Sequence, residues 1–144
     1  MSKLVIEGGV ALEGSIDIHG AKNAILPILA ATLLNAGKNV IHKCPKLKDV
    51  ITSLAILESL GCEIAWDGDT ITVDSSSMEK CSVPEELMRE MRSSAIFLGA
   101  ILSRCERALI STPGGCRTQM CVQNLLFRIL RKYDKRYKLL IYLE

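Results

Sequence analysis

An apolar helix-forming stretch followed by a short strand occurs twice in this chain, about 70 residues apart. The first copy opens at Asn23, continues through the almost wholly apolar residues 24–35 and reaches Val40-Ile41-His42. The second opens at Ser93, continues to Ser103 and reaches Ala108-Leu109-Ile110-Ser111. Between them, Leu47, Val50, Ile51, Leu54, Leu57 and Leu60 recur at three- and four-residue spacing, which predicts an amphipathic helix. Gly61 is placed to end it. A strand at 62–66, a two-residue Asp67-Gly68 turn and a returning strand at 70–74 read as a hairpin. Helix, strand, helix, glycine and hairpin, begun again after about 70 residues, form a supersecondary repeat. The predicted class is α/β. Pro27 is expected in the first turn of its helix, where a missing N–H costs little, and Gly37 as the stop. Residues 15–19 alternate polar and apolar, which predicts a half-buried strand.

The chain has 144 residues, enough for one domain. Its 49% hydrophobic and 24% charged residues exclude a disordered chain. No apolar run approaches the ~18–20 residues of a membrane span. The N-terminus lacks a basic segment followed by an apolar one, so no signal peptide is expected. The six cysteines are 44, 62, 81, 105, 116 and 121. They include no C-x-x-C pair, and His19 and His42 lie far apart, so no zinc site is expected. Cysteines of this kind fit a reducing cytoplasm, most of them serving as small core hydrophobes.

Charge divides the chain. Residues 1–115 carry 11 Lys/Arg against 14 Asp/Glu, whereas residues 116–144 carry 7 against 2. All ten glycines and all four prolines lie at or before Gly115. In the basic tail, Val122, Leu125, Leu126, Ile129 and Leu130 form a helical stripe interleaved with Arg128, Arg131 and Lys132, and residues 138–143 suit a strand. That spacing suits a solvated helix face better than a nucleic-acid surface, and no nucleic-acid partner is expected. Nor is a membrane partner. A sheet edge left unpaired would favour self-association.

Three places carry residues suited to chemistry. Pro113-Gly114-Gly115-Cys116 follows a strand, on a loop whose glycines permit close approach to a ligand; a turn followed by a chance cysteine explains it equally well. Lys22-Asn23 opens the first apolar helix, where free N–H groups and a lysine suit an anion. Taken alone, a solvated lysine with Asn23 as the helix cap accounts for the pair. Arg92 opens the second apolar helix at nearly the equivalent place in the repeat. An ordinary surface arginine accounts for it alone, but two basic residues at two like helix starts can face one anionic ligand. Lys46-Leu47-Lys48-Asp49 reads as a solvated helix start with a local charge pair, and Trp66 as packing beside the hairpin.

Four motifs occur in order: Gly20-Ala21-Lys22-Asn23-Ala24, Pro45-Lys46-Leu47-Lys48-Asp49-Val50, Met91-Arg92-Ser93-Ser94 and Pro113-Gly114-Gly115-Cys116. In these the chain resembles the enolpyruvyl transferase family, and within it the UDP-N-acetylglucosamine 1-carboxyvinyltransferases, over roughly residues 1–116. The cysteine favours that branch over its shikimate-pathway relative. The resemblance implies an inside-out α/β barrel of repeated helix-and-sheet units, here partial. It implies that residues 1–20 are strands belonging to a second domain, that 21–116 form an incomplete first domain, and that 117–144 are a divergent tail. It further implies transfer of the enolpyruvyl group of phosphoenolpyruvate to the 3′-hydroxyl of UDP-N-acetylglucosamine with release of phosphate, in the bacterial cytoplasm, at the start of peptidoglycan precursor synthesis. Lys22 matches the lysine that binds phosphoenolpyruvate, and Asn23 its substrate-contacting neighbour. Arg92 matches an arginine holding the nucleotide sugar. Cys116 matches the proton donor that fosfomycin alkylates. No metal or organic cofactor is implied.

The resemblance stops one residue after Cys116. The family continues with an Ile-Gly-x-Arg-Pro-x-Asp-Leu-His type run, whereas this chain reads Arg117-Thr118-Gln119-Met120-Cys121-Val122-Gln123-Asn124. The family's arginine falls where Cys121 stands. The expectation is a truncated or frame-shifted version, about a third of a family member and inactive as an isolated chain; the alternative is a non-catalytic remnant with at most weak binding of the UDP-sugar or of a partner.

Overall fold

Helix α1 (Lys22–Ala31) begins two residues before the apolar run and passes into a 3-10 turn at Thr32–Leu34. The computed structural model describes residues 3–9, 11, 13–18, 20–111 and 138–142, and only the backbone of Arg92 and of 138–142. The early start puts Pro27 sixth in the helix rather than in its first turn. Lacking an N–H, Pro27 cannot donate to the Asn23 carbonyl one turn back. Ile25, Leu26, Leu29, Ala30 and Leu33 are buried, while Ile28 and Leu34 stay about half exposed. Gly37 is not the stop. The helix closes in the 3-10 turn, whose carbonyls are taken up by distant groups. Ser75 Oγ lies 2.9 Å from the Thr32 carbonyl and 2.5 Å from that of Asn35. Arg104 Nη1 donates to the Leu33 carbonyl at 3.2 Å. These contacts satisfy acceptors that a helix end otherwise leaves to water.

Strand β1 (Lys38–Ile41) follows, then α2 (Lys48–Ser59), β2 (Glu63–Asp67) and β3 (Thr70–Asp74). The sheet is antiparallel in the order β1-β3-β2. Ile71 and Val73 point from its central strand into the core. Asp67 pairs with Thr70, so the turn residues are Gly68-Asp69, one later than the sequence predicts. Gly68 at φ +61° takes the first central position, where hairpin turns need a left-handed residue. On α2, Val50, Leu54 and Leu57 are buried together with Ser53 and Ile56. Ile51, predicted on the same face, is 57% exposed because it projects roughly 120° from the centre of that face. Gly61, at φ +100°, ends the segment as expected.

After α3 (Glu85–Glu90), the second copy comprises a 3-10 turn at Arg92–Ala95, α4 (Ile96–Cys105) and β4 (Arg107–Ser111). Thus α4 starts at 96 where α1 starts at 22, and β4 at 107 where β1 starts at 38. Helix α4 ends at Glu106 in the left-handed conformation (φ +57°), a place where glycine is commoner. Strand β5 (Lys138–Tyr142) lies parallel to β4, with Arg107 opposite Lys138 and Ser111 opposite Tyr142. It occupies the tail strand predicted at 138–143; the predicted tail helix lies outside the described residues. Helices α1, α2 and α4 share one core with the sheet, centred on Leu29, Leu57, Ile71, Phe97 and Ile101. Cys44 and Cys62 are buried in it, and Cys81 and Cys105 pack partly buried against it, all as free thiols. Trp66 also packs there beside the hairpin.

The strand predicted at 15–19 does not form in the described residues. Ile16 and Ile18 are 87% and 90% exposed, and no described strand lies beside them. Alternation gives a strand only where another strand receives its backbone groups. No described helix is long and apolar enough to cross a membrane.

Candidate functional site

An open cavity of about 600 Å³ lies where three helix starts meet. Its walls are Lys22, Asn23, Leu26 and Pro27 from α1, Asp49 from α2, and Glu90, Met91, Ser93 and Ile96 around the start of α4. The structure therefore brings Lys22 and Asn23 together with both chain neighbours of Arg92. Cys116 lies outside the described residues.

Lys22 is the first residue of α1, preceded by the extended residue Ala21. The Ala21 carbonyl accepts from the N–H groups of Ala24 and Ile25, each at 3.1 Å, so Asn23 is inside the helix and is not its cap. No side chain caps α1 and its first turn holds no acid. A lysine there opposes the helix dipole, an arrangement that helix stability alone disfavours. The offsetting charge comes from Asp49, whose Oδ2 lies 2.5 Å from Lys22 Nζ. Asp49 stands in the first turn of α2, where the dipole favours an acid. The charge pair expected within residues 46–49 is instead this long-range one.

The rear wall is fastened to α2 by hydroxyls. Thr52 Oγ1 donates to Glu90 Oε2 at 3.2 Å. Ser53 Oγ donates to the Asp49 carbonyl at 2.8 Å and lies 3.6 Å from Met91 Sδ. Ser94 Oγ donates to the Met88 carbonyl at 3.2 Å, which fixes the turn that carries Arg92. The cavity thus joins one ammonium, two carboxylates and an apolar strip of Leu26, Pro27, Met91 and Ile96, a surface suited to an anion attached to a carbon skeleton. Among the described residues, no three His, Cys, Asp or Glu side chains converge to hold a metal.

Burial disarms three of the described thiols. It pushes Cys62 up to about 11, against the attraction of Arg104. It also raises Cys44, aided by Asp69, and Cys105, aided by Cys81. Thiols held protonated in this way are poor nucleophiles at neutral pH.

The pairing of Asp49 with Lys22, and the parts of Thr52 and Glu90, are not legible in the sequence. Their importance depends on α1 and α2 starting side by side, which no local spacing encodes. The one available signal was a lysine in the first turn of a helix without a nearby acid.

Residues 6–121 match the family described as EPSP synthase (3-phosphoshikimate 1-carboxyvinyltransferase). The chain belongs to this enolpyruvyl transferase family. It is 51% identical over 116 residues to UDP-N-acetylglucosamine 1-carboxyvinyltransferase 2 of Caldanaerobacter subterraneus, covering 81% of this chain and 28% of that protein. It is 44% identical over 116 residues to the UDP-N-acetylglucosamine 1-carboxyvinyltransferase of Desulfatibacillum aliphaticivorans, with the same coverage. The enzyme of that name in Solidesulfovibrio magneticus is 39% identical over 139 residues, 96% of this chain and 33% of that one. Among solved structures, the enolpyruvyl transferase NikO from Streptomyces tendae superposes with a TM-score of 0.60 at 27% identity, over 69% of this chain and 23% of that chain. The helix-and-sheet units are therefore part of the inside-out α/β barrel of the enolpyruvyl transferases. This enolpyruvyl transferase chain spans about 28% of the length of the first two relatives.

Proposed function

We propose that this chain belongs to an enzyme that transfers the enolpyruvyl group from phosphoenolpyruvate to the 3′-hydroxyl of UDP-N-acetylglucosamine, and that the isolated chain does not turn over. The observation that carries this reading is the cavity in which Lys22 and Asn23 meet the turn bearing Arg92. The relatives' shared name supports the choice of nucleotide sugar. In this reading the Lys22 ammonium neutralises the phosphate of phosphoenolpyruvate, with Asn23 beside it contacting substrate, and Arg92 helps to hold the nucleotide sugar. Cys116 protonates the methylene carbon while the sugar hydroxyl gives up its proton and its oxygen bonds to the adjacent carbon; the new methyl group then loses a proton as phosphate leaves, which restores the carbon–carbon double bond in the product. Residues 1–20 would belong to a second domain, and 117–144 would be a divergent tail. The setting is the bacterial cytoplasm, at the first committed step of peptidoglycan precursors.

Fosfomycin supplies the test, because it alkylates the family's loop cysteine. Incubation of the chain with fosfomycin and UDP-N-acetylglucosamine, followed by intact mass, should show one adduct. That adduct should be lost in Cys116→Ala and reduced in Lys22→Met. An unmodified wild-type mass, or labelling that persists in Cys116→Ala, removes the reading.

A further inference from the structure

We propose that Asp49 is the counter-ion of Lys22: it holds the ammonium until an incoming phosphate binds by displacing it. This rests on the reading of Lys22 as the phosphate-binding residue and adds a role for a carboxylate that reading leaves idle. The contact is direct, Asp49 Oδ2 to Lys22 Nζ at 2.5 Å, and both residues line the cavity. An anion cannot take the same face of the ammonium while the carboxylate holds it.

The exchange is inexpensive in this geometry. The two side chains are 51% and 27% exposed, so water screens the pair and its strength is that of an ordinary surface ion pair. Once displaced, Asp49 is not stranded, since it remains in the first turn of α2 where the dipole favours its charge. Its backbone is held by Ser53, so it stays close enough to recapture Lys22 when the anion leaves. Glu90 lines the same cavity but is engaged by Thr52, which leaves Asp49 as the acid paired with the lysine. The pair also keeps an ammonium parked at a helix start that would otherwise repel it. Asp49 in this role lowers anion affinity, the opposite of what a supporting residue does.

The direction of the effect is the test. Inorganic phosphate is titrated into the full chain while the amide resonances of residues 22–24 are followed. Asp49→Asn should bind phosphate about two- to fivefold more tightly than wild type from loss of the pair alone. Relief of repulsion between carboxylate and phosphate acts in the same direction. Asp49→Glu should restore wild-type affinity, and the gain should vanish when Asp49→Asn is combined with Lys22→Met. A matching urea midpoint for Asp49→Asn establishes that the variant is folded; if it is not, Asp49→Ser takes its place. Equal or weaker binding in the folded uncharged variant, or no binding at all, overturns the proposal. Fosfomycin labelling is read separately. A gain in phosphate affinity without labelling keeps the role of Asp49 and removes the nucleotide-sugar reading, whereas labelling without the gain does the reverse.

Discussion

Arg104 Nη2 donates to the Ser75 carbonyl at 2.9 Å, which fastens α4 to the loop after β3. The same guanidinium reaches the Leu33 carbonyl, so one side chain joins the ends of both repeat copies. A planar fork can serve two carbonyls at once, and an ammonium on a flexible stem does so poorly. Arg104→Met should therefore destabilise the fold by about 1–3 kcal/mol, with Arg104→Lys recovering only part. Urea unfolding decides this; a midpoint unchanged in Arg104→Met would show that water replaces the guanidinium without loss.

Gly20 approaches the β1–α2 connection so closely that a Cβ would fall 2.6 Å from the Lys43 carbonyl oxygen. That oxygen is backbone and cannot swing aside. Gly20→Ala should push away the segment entering α1, and Lys22 with it, at a cost of about 1–3 kcal/mol. The checks are a lowered melting temperature and altered amide shifts at both Lys22 and Asp49. Shifts confined to residue 20 would contradict the argument.

Cys62 gives the fold an alkaline limit. Its thiol is raised in the folded state from 9.0 to about 11, chiefly by burial. Below pH 9 both states keep the proton and the thiol adds no pH dependence. Between pH 9 and 11 the unfolded chain ionises first, so stability falls as pH rises, by roughly 2–3 kcal/mol in total. The difference between wild type and Cys62→Ala, measured by denaturant at pH 8, 9.5 and 11, isolates this contribution. Parallel pH profiles for the two proteins would refute it.

Phe97 is 1% exposed and lies at the centre of the shared core. Phe97→Ala should cost about 3–5 kcal/mol, a large part of the stability of a domain this size. The expected outcome is a chain largely unfolded at 37 °C by circular dichroism. A melting temperature within a few degrees of wild type would mean that the core closes over the gap.

The repeat was legible because apolar runs such as Ile25–Ala30 report burial directly, whatever they pack against. Gly61 and Gly68 were legible because left-handed backbone is costly for other residues. Glu106 adopts that same conformation without a glycine to announce it. The 15–19 alternation misled because period alone does not supply a neighbouring strand. At the candidate site, Lys22 and Asn23 are legible through their place at a helix start, and Met91 and Ser93, the chain neighbours of Arg92, line the same cavity. Asp49 was assigned to its sequence neighbours because the nearest opposite charge in sequence was not the nearest in space. Cys116, the residue that the family resemblance singled out, lies outside the described residues.

The strand order β1-β3-β2 sets an order of events for a chain collapsing from the unfolded state. Strands β2 and β3 are joined by two residues and can meet within microseconds. Strand β1 meets β3 through pairs such as Ile41 with Ile71, and closing that long loop carries an entropic penalty until α2 has shortened it. The hairpin is thus expected to form first and β1 to join it later. Substitutions in the hairpin should slow refolding, while those in β1 should mainly hasten unfolding.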